Sequence, residues 1–145
     1  MRISNFCSNA ADGCVFVQTL IKKRINSLHI LVTDFNRNLR NFLKRELTRE
    51  GFVVYTAKNS KEAQNYIYGP NPLDLVIFDP QLIDSLGLRL FKSIQDRIPP
   101  VPVIVHTYRD FFSDLAKEEN VYCVEKNTWS LEPLKNKIFE VTSRF

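Results

Sequence analysis

An alternating α/β domain on a five-stranded parallel sheet is the fold class this sequence predicts, and three observations predict it. From Leu28 onward, short β-branched runs alternate with stretches of helical period, the pattern of repeated βα units. The run Leu75-Val76-Ile77-Phe78 is apolar throughout, as a central strand covered on both faces must be. Four runs also end in polar residues suited to chemistry: Asp34, Asp79, Thr107 and Lys126. Ligands of parallel α/β sheets bind beyond the carboxyl ends of the strands, so these side chains are expected to converge on one site.

The elements follow in order. A first strand at about Ile30–Thr33 leads into a helix from about Arg37 to Glu50. Leu39, Phe42, Leu43 and Leu47 form its apolar stripe, and Gly51 stops it. Phe52–Thr56 is the second strand, and Asn59 with Glu62 has the spacing of a capping box for a helix reaching about Tyr68. Gly69-Pro70-Asn71-Pro72 breaks the chain before the third strand, Leu75–Phe78. A helix over about Leu86–Ile94, a strand at Val103–His106, a short helix near Asp110–Lys117 and a strand at Val121–Glu125 come next. Ser130 is placed to cap a last helix carrying Leu134, Ile138 and Val141 at i, i+4 and i+7, with Pro133 in its first turn.

Composition narrows the function classes. At 145 residues, with 44% hydrophobic and 25% charged residues, the chain has the makings of one globular domain with a real core. No apolar run approaches the ~20 residues of a membrane span, and residues 1–27 lack the uninterrupted apolar stretch of a signal peptide. A cytoplasmic protein without membrane contact is expected. Cys7, Cys14 and Cys123 are odd in number and form no CxxC, which suits free thiols in a reducing compartment. The pI near 9.0 is mostly a tail property. Residues 1–27 hold four basic residues against one acid, a net of +3, so the other 118 carry +1 of the total +4. Nucleic acid is therefore not an expected partner. Residues 1–27 read as an N-terminal extension, flexible or carrying one short amphipathic helix over Val15–Ile25, and the flexible form is preferred. Residues 28–145 read as the folded domain.

The polar strand ends carry a further pattern. Thr33-Asp34 closes the first strand, Asp79 the third, and Gly87 follows eight residues after Asp79. Thr107 closes the fourth strand and Lys126 the fifth. At these spacings the chain resembles the response-regulator receiver family of two-component signalling, from Leu28 to about Val141. The resemblance implies a flavodoxin-like (βα)5 fold of strand order 2-1-3-4-5 and a signalling role in place of an enzyme's. It implies that Asp79 accepts a phosphoryl group from a histidine kinase or histidine phosphotransfer protein, forming an acyl phosphate. A carboxylate attacking a charged phosphoryl group needs cations to neutralise the repulsion. Mg²⁺ would be held by Asp34, Asp79 and the backbone carbonyl of Gln81, Lys126 would pair with the phosphoryl group, and Thr107 would donate its hydroxyl to it. With nothing after Phe145 in this sequence, output is expected through contact with a downstream protein, unless the chain is part of a longer one.

Each of these residues alone has a bland explanation: Asp34 as a helix cap, Asp79 as a turn residue beside Pro80, Lys126 as a solvated lysine, Thr107 as an ordinary strand end. Jointly, the site reading wins. The chain also departs from the family. Thr33 stands for the first acid of the usual pair, so Mg²⁺ is expected to bind weakly. Ile83 and Asn127 replace prolines, Tyr108 replaces a small residue after the threonine, and Cys123 takes the place of the switch aromatic, with Tyr122 on the opposite strand face. The Thr107–Lys126 segment is short by roughly one helical turn. These departures keep a second reading open, a receiver-like interaction module independent of phosphorylation. The scattered glycines form no P-loop or dinucleotide loop. His29 and His106 read as structural, Phe42, Phe91 and Trp129 as packing residues, and Arg37, Arg40 and Lys44 as a solvated stripe.

Overall fold

The protein is described by a computed structural model covering residues 28–82, 87–108, 117–127 and 129–143. The N-terminal extension, Cys7, Cys14, Ile83 and most of the expected helix near Asp110–Lys117 lie outside those residues. The strands are β1 (His29–Thr33), β2 (Val53–Ala57), β3 (Leu75–Phe78), β4 (Val103–Thr107) and β5 (Val121–Glu125). The helices are α1 (Arg37–Arg49), α2 (Ser60–Ile67), α3 (Gly87–Gln95) and α4 (Glu132–Thr142). All strand pairs are parallel, in the order β2-β1-β3-β4-β5, as expected.

Alternation of side chains along the central strands builds two cores. Ile30, Val32, Ile77 and Ile104 face α1 and α4, where they meet Leu43, Leu47, Leu134 and Ile138. Leu31, Val76, Phe78 and Val105 face α2 and α3, where they meet Ala63, Ile67, Leu90 and Ile94. This two-sided cover explains the continuous apolar run of β3. Cys123 packs with the second core and Tyr122 with the first, on opposite faces as their adjacency requires.

Local chemistry sets the element ends. Asn36 caps α1, accepting a hydrogen bond from the Leu39 N–H at 3.1 Å, and Gly51 stops the helix at φ 99°, where only glycine is unstrained. Asn59 caps α2 through the Glu62 N–H at 2.9 Å. The Glu62 carboxylate accepts from the Lys58 N–H at 3.0 Å, one residue before the donor a capping box would use. Ser130 Oγ accepts from the Glu132 N–H at 3.1 Å, although the residue at the cap position of α4 is Leu131. A Cβ on Gly69 would collide with the Asn65 carbonyl oxygen, which accounts for glycine there.

Some expectations fail on exposure. Phe91 is buried, but Phe42 and Trp129 are exposed: Phe42 lies on the rim of its stripe under the Arg45 guanidinium, and Trp129 sits in the loop before α4. Ile98–Pro99 is the cis peptide bond among the described residues, so Asn127 follows Lys126 through a trans bond. No described helix is long and apolar enough to cross a membrane.

Candidate functional site

The register of the sheet aligns the polar strand ends. Thr33 is level with Phe78, Phe78 with Val105, and Thr107 with Glu125. Asp34, Asp79, Thr107 and Lys126 therefore meet at one edge. Asp34 extends the β1 ladder, its N–H bonding the Ala57 carbonyl at 3.3 Å. The Lys126 N–H donates to the Thr107 carbonyl at 2.8 Å, prolonging the β4–β5 ladder and aiming the lysine stem over the sheet.

At the centre, Lys126 Nζ bridges the two carboxylates, 2.9 Å from Asp34 Oδ2 and 2.7 Å from Asp79 Oδ2. The second oxygens are held by backbone: Asp34 Oδ1 accepts the Asn36 N–H at 2.8 Å, and Asp79 Oδ1 the Gln81 N–H at 2.9 Å. The Asp79 carbonyl accepts the Leu82 N–H at 3.0 Å, closing a tight turn through Pro80. Both aspartates are only 1% exposed, and the lysine side chain 9%. These positions exclude two of the bland explanations, since Asn36 and not Asp34 caps α1, and Lys126 is not solvated.

Burial carries an electrostatic load. It pushes the Asp34 carboxyl above the usual carboxylate range, against the opposing pull of Lys126 and the Asn36 N–H. Burial also works to lower the Lys126 ammonium, but its hydrogen bonds to Asp79 and Asp34 outweigh that and leave it raised. Two carboxylates and one ammonium leave one net negative charge where water is scarce. Thr107 is fully buried and its hydroxyl has no hydrogen-bond partner among the described residues. A buried orphan hydroxyl is costly unless something is there to receive it.

Thr33 does not substitute for the missing acid. It is buried, and its hydroxyl donates to the Ile77 carbonyl at 3.2 Å, a bond within the sheet. Two contributors left no sequence signal of their own, and a third, Tyr108, stood out in the sequence only as a departure from the family. Arg40, expected to be solvated, folds back so that Nη1 donates to the Asp34 carbonyl at 2.7 Å. His106 is 4% exposed with Nδ1 unpartnered among the described residues, and burial lowers its pKa to about 4, so the imidazole is neutral. The Tyr108 ring lies over the site with its centroid 5.6 Å from Lys126 Nζ.

No group of three His, Cys, Asp or Glu residues shares a metal-sized site among the described residues. Two hard carboxylates nonetheless fit Mg²⁺, which commonly takes one or two and keeps several waters.

A parallel α/β domain with buried aspartates, a bridging lysine and an unpaired threonine at its strand ends defines a receiver-type signalling domain. Residues 30–138 match the family model of the response regulator receiver domain, and the chain belongs to that family, the receiver domains of two-component response regulators. It is 35% identical over 96 residues to the transcriptional regulatory protein GlrR of Escherichia coli, covering 65% of this chain and 21% of that one. It is 32% identical over 87 residues to the transcriptional regulatory protein PhoP of Escherichia coli, covering 60% and 39%. The chain thus spans well under half the length of these relatives. Among solved structures, the response regulator TrrA of Thermotoga maritima, in complex with Mg²⁺–BeF, superposes at a TM-score of 0.67 with 31% identity, covering 79% of this chain and 99% of that one. TrrA is also seen in complex with the histidine kinase ThkA, at a TM-score of 0.67 and 30% identity, covering 79% and 98%.

Proposed function

We propose that this domain accepts a phosphoryl group on Asp79 from a histidine kinase or histidine phosphotransfer protein, in an Mg²⁺-dependent reaction, and passes the signal on by protein–protein contact. The observation that carries the reading is the ammonium of Lys126 held between two buried carboxylates, with the buried Thr107 hydroxyl, unpartnered among the described residues, at the same edge. An Asp79 oxygen forms the new P–O bond as the donor's P–N bond breaks, and the electron pair leaves with the imidazole nitrogen. The Gln81 N–H fixes the carboxylate's orientation through Oδ1, which favours attack by pre-organisation. Lys126 pairs with the incoming phosphoryl oxygens, and Thr107 supplies them a hydroxyl donor.

Asp34, Asp79 and the Gln81 carbonyl would hold Mg²⁺, which when bound supplies charge neutralisation for the phosphoryl oxygens. With Thr33 turned into the sheet, the site has one acid fewer to hold the ion's waters, and weak binding follows. The fit to a kinase has support from TrrA, which pairs with ThkA. The output surface proposed here is the face of β5 and α4, because a change at Thr107 reaches it without crossing the core; the helix near Asp110–Lys117 also expected there lies mostly outside the described residues.

Incubation with Mg²⁺ and acetyl phosphate, followed by intact mass, tests the reading. A labile phosphate adduct is expected in the wild type and none in Asp79→Asn. Absence of an adduct with acetyl phosphate and with a panel of phosphorylated kinases would support the phosphorylation-independent interaction module, which the loss of the acid at Thr33 favours.

A further inference from the structure

We propose that a groove at the amino end of β4 and β5 is the docking site for this chain's own N-terminal segment, with Lys22, Lys23 and Arg24 paired to Glu118 and Glu119. The groove lies at the opposite end of the sheet from Asp79, so the inference stands apart from the phosphoacceptor reading.

The groove has a volume of about 650 Å³ and is lined by Gln95 at the end of α3, by Val101, Val103 and Val121, and by Glu118 and Glu119. The three valines belong to the core beneath α3 and give it an apolar floor. Glu118 and Glu119 are exposed and give it an acidic rim, in which they outnumber the adjoining Lys117. A floor and rim of this kind suit a segment that carries apolar and basic side chains together.

Residues 1–27 are such a segment. They carry a net +3, and three of their four basic residues stand side by side as Lys22-Lys23-Arg24, preceded by Phe16, Leu20 and Ile21. Their point of attachment is fixed at the same edge of the sheet, where the Leu28 carbonyl accepts the Val53 N–H at 3.0 Å. In the order β1-β3-β4-β5 the groove lies two to three strands from β1, about 10–15 Å at the usual strand spacing. Lys22 and Lys23 stand six and five residues before Leu28. At about 3.3–3.6 Å per extended residue they reach about 17–21 Å, enough to meet the glutamates. Exposed ion pairs are weak singly. A tether holds the segment at an effective concentration of about millimolar, so a few such pairs with apolar contacts on the valines suffice.

Two measurements on the full chain test the docking. Carbodiimide joins a lysine amine to a carboxylate only where the two touch. Peptide mass spectrometry at high dilution should find Lys22 or Lys23 linked to Glu118 or Glu119 within one chain. Chymotrypsin cleavage after Phe16, followed by intact mass, reads the undocked fraction. Glu118→Lys with Glu119→Lys should be cut about two- to tenfold faster than wild type, and so should Lys22→Glu with Lys23→Glu and Arg24→Glu. Combining the two sets restores the pairs with their signs exchanged and should bring the rate back toward wild type. Equal rates in wild type and the glutamate variant, or a combined variant cut as fast as either set alone, overturn the proposal. Links that form only between chains overturn it in favour of a second copy at the groove.

Discussion

The two ends of the sheet hold the same residue types and use them in opposite ways. At the amino end, Asp74 stands immediately before β3 and His29 opens β1. The Asp74 carboxylate accepts the His29 N–H at 2.7 Å, the Asp74 N–H returns to the His29 carbonyl at 2.9 Å, and His29 Nδ1 meets the Tyr55 hydroxyl at 2.9 Å. Each of these bonds has a backbone group or a hydroxyl on one side, and Asp74 and His29 are half-buried. At the carboxyl end of the same two strands, Asp79 and Asp34 are buried on a shared ammonium, and beside them on β4 His106 and Thr107 each leave a buried polar atom unpaired among the described residues. One end uses its polar groups to clamp strands together. The other keeps them unsatisfied, where a ligand can resolve them. Buried networks are stabilising only when complete, so the incomplete end is where function is to be sought.

The largest test of that contrast is Lys126→Met. It leaves two buried carboxylates without their counter-ion and should cost about 3–5 kcal/mol in urea unfolding at pH 7. The sign of its pH dependence is also informative. Burial already raises Asp34 in the folded protein, so its charged form costs stability above its folded pKa. Without the ammonium that cost grows, and the variant should regain stability as pH falls. Unfolding curves that superpose on wild type would mean the ammonium does not compensate the carboxylates.

His106→Leu addresses the orphan imidazole. Its folded pKa of about 4 lies below the ordinary 6.5. The stability it contributes is therefore fully present above pH 6.5 and lost as pH falls toward 4, on the order of 3 kcal/mol in all. Replacing it should flatten the acid limb of the stability profile between those values. An unchanged limb would show that the ring is not held neutral in the fold. The smallest effect belongs to the satisfied end. Tyr55→Phe removes one part-buried hydrogen bond to His29 and should cost about 1 kcal/mol, with adduct formation at Asp79 unchanged. A slower phosphorylation there would break the separation of the two ends.

The sequence by itself determined the fold class, the strand order expected of the family and the convergence of Asp34, Asp79, Thr107 and Lys126. Period-2 and period-3.6 hydrophobicity are local, and a parallel sheet brings all carboxyl ends to one edge whatever the loops do. Strand ends moved by about one residue, as for β2 and β4, because ladder hydrogen bonds and not composition set them. Only the tertiary structure decided which way the polar atoms point. It turned the Thr33 hydroxyl into the sheet, folded Arg40 onto the Asp34 carbonyl, placed Lys126 between two carboxylates, and laid Tyr108 over the ammonium. It also exposed Phe42 and Trp129, which apolar character and, for Phe42, helical spacing had placed among the packing residues. Each of these depends on a partner distant in the chain and on the water excluded between them, and neither quantity is written in local sequence.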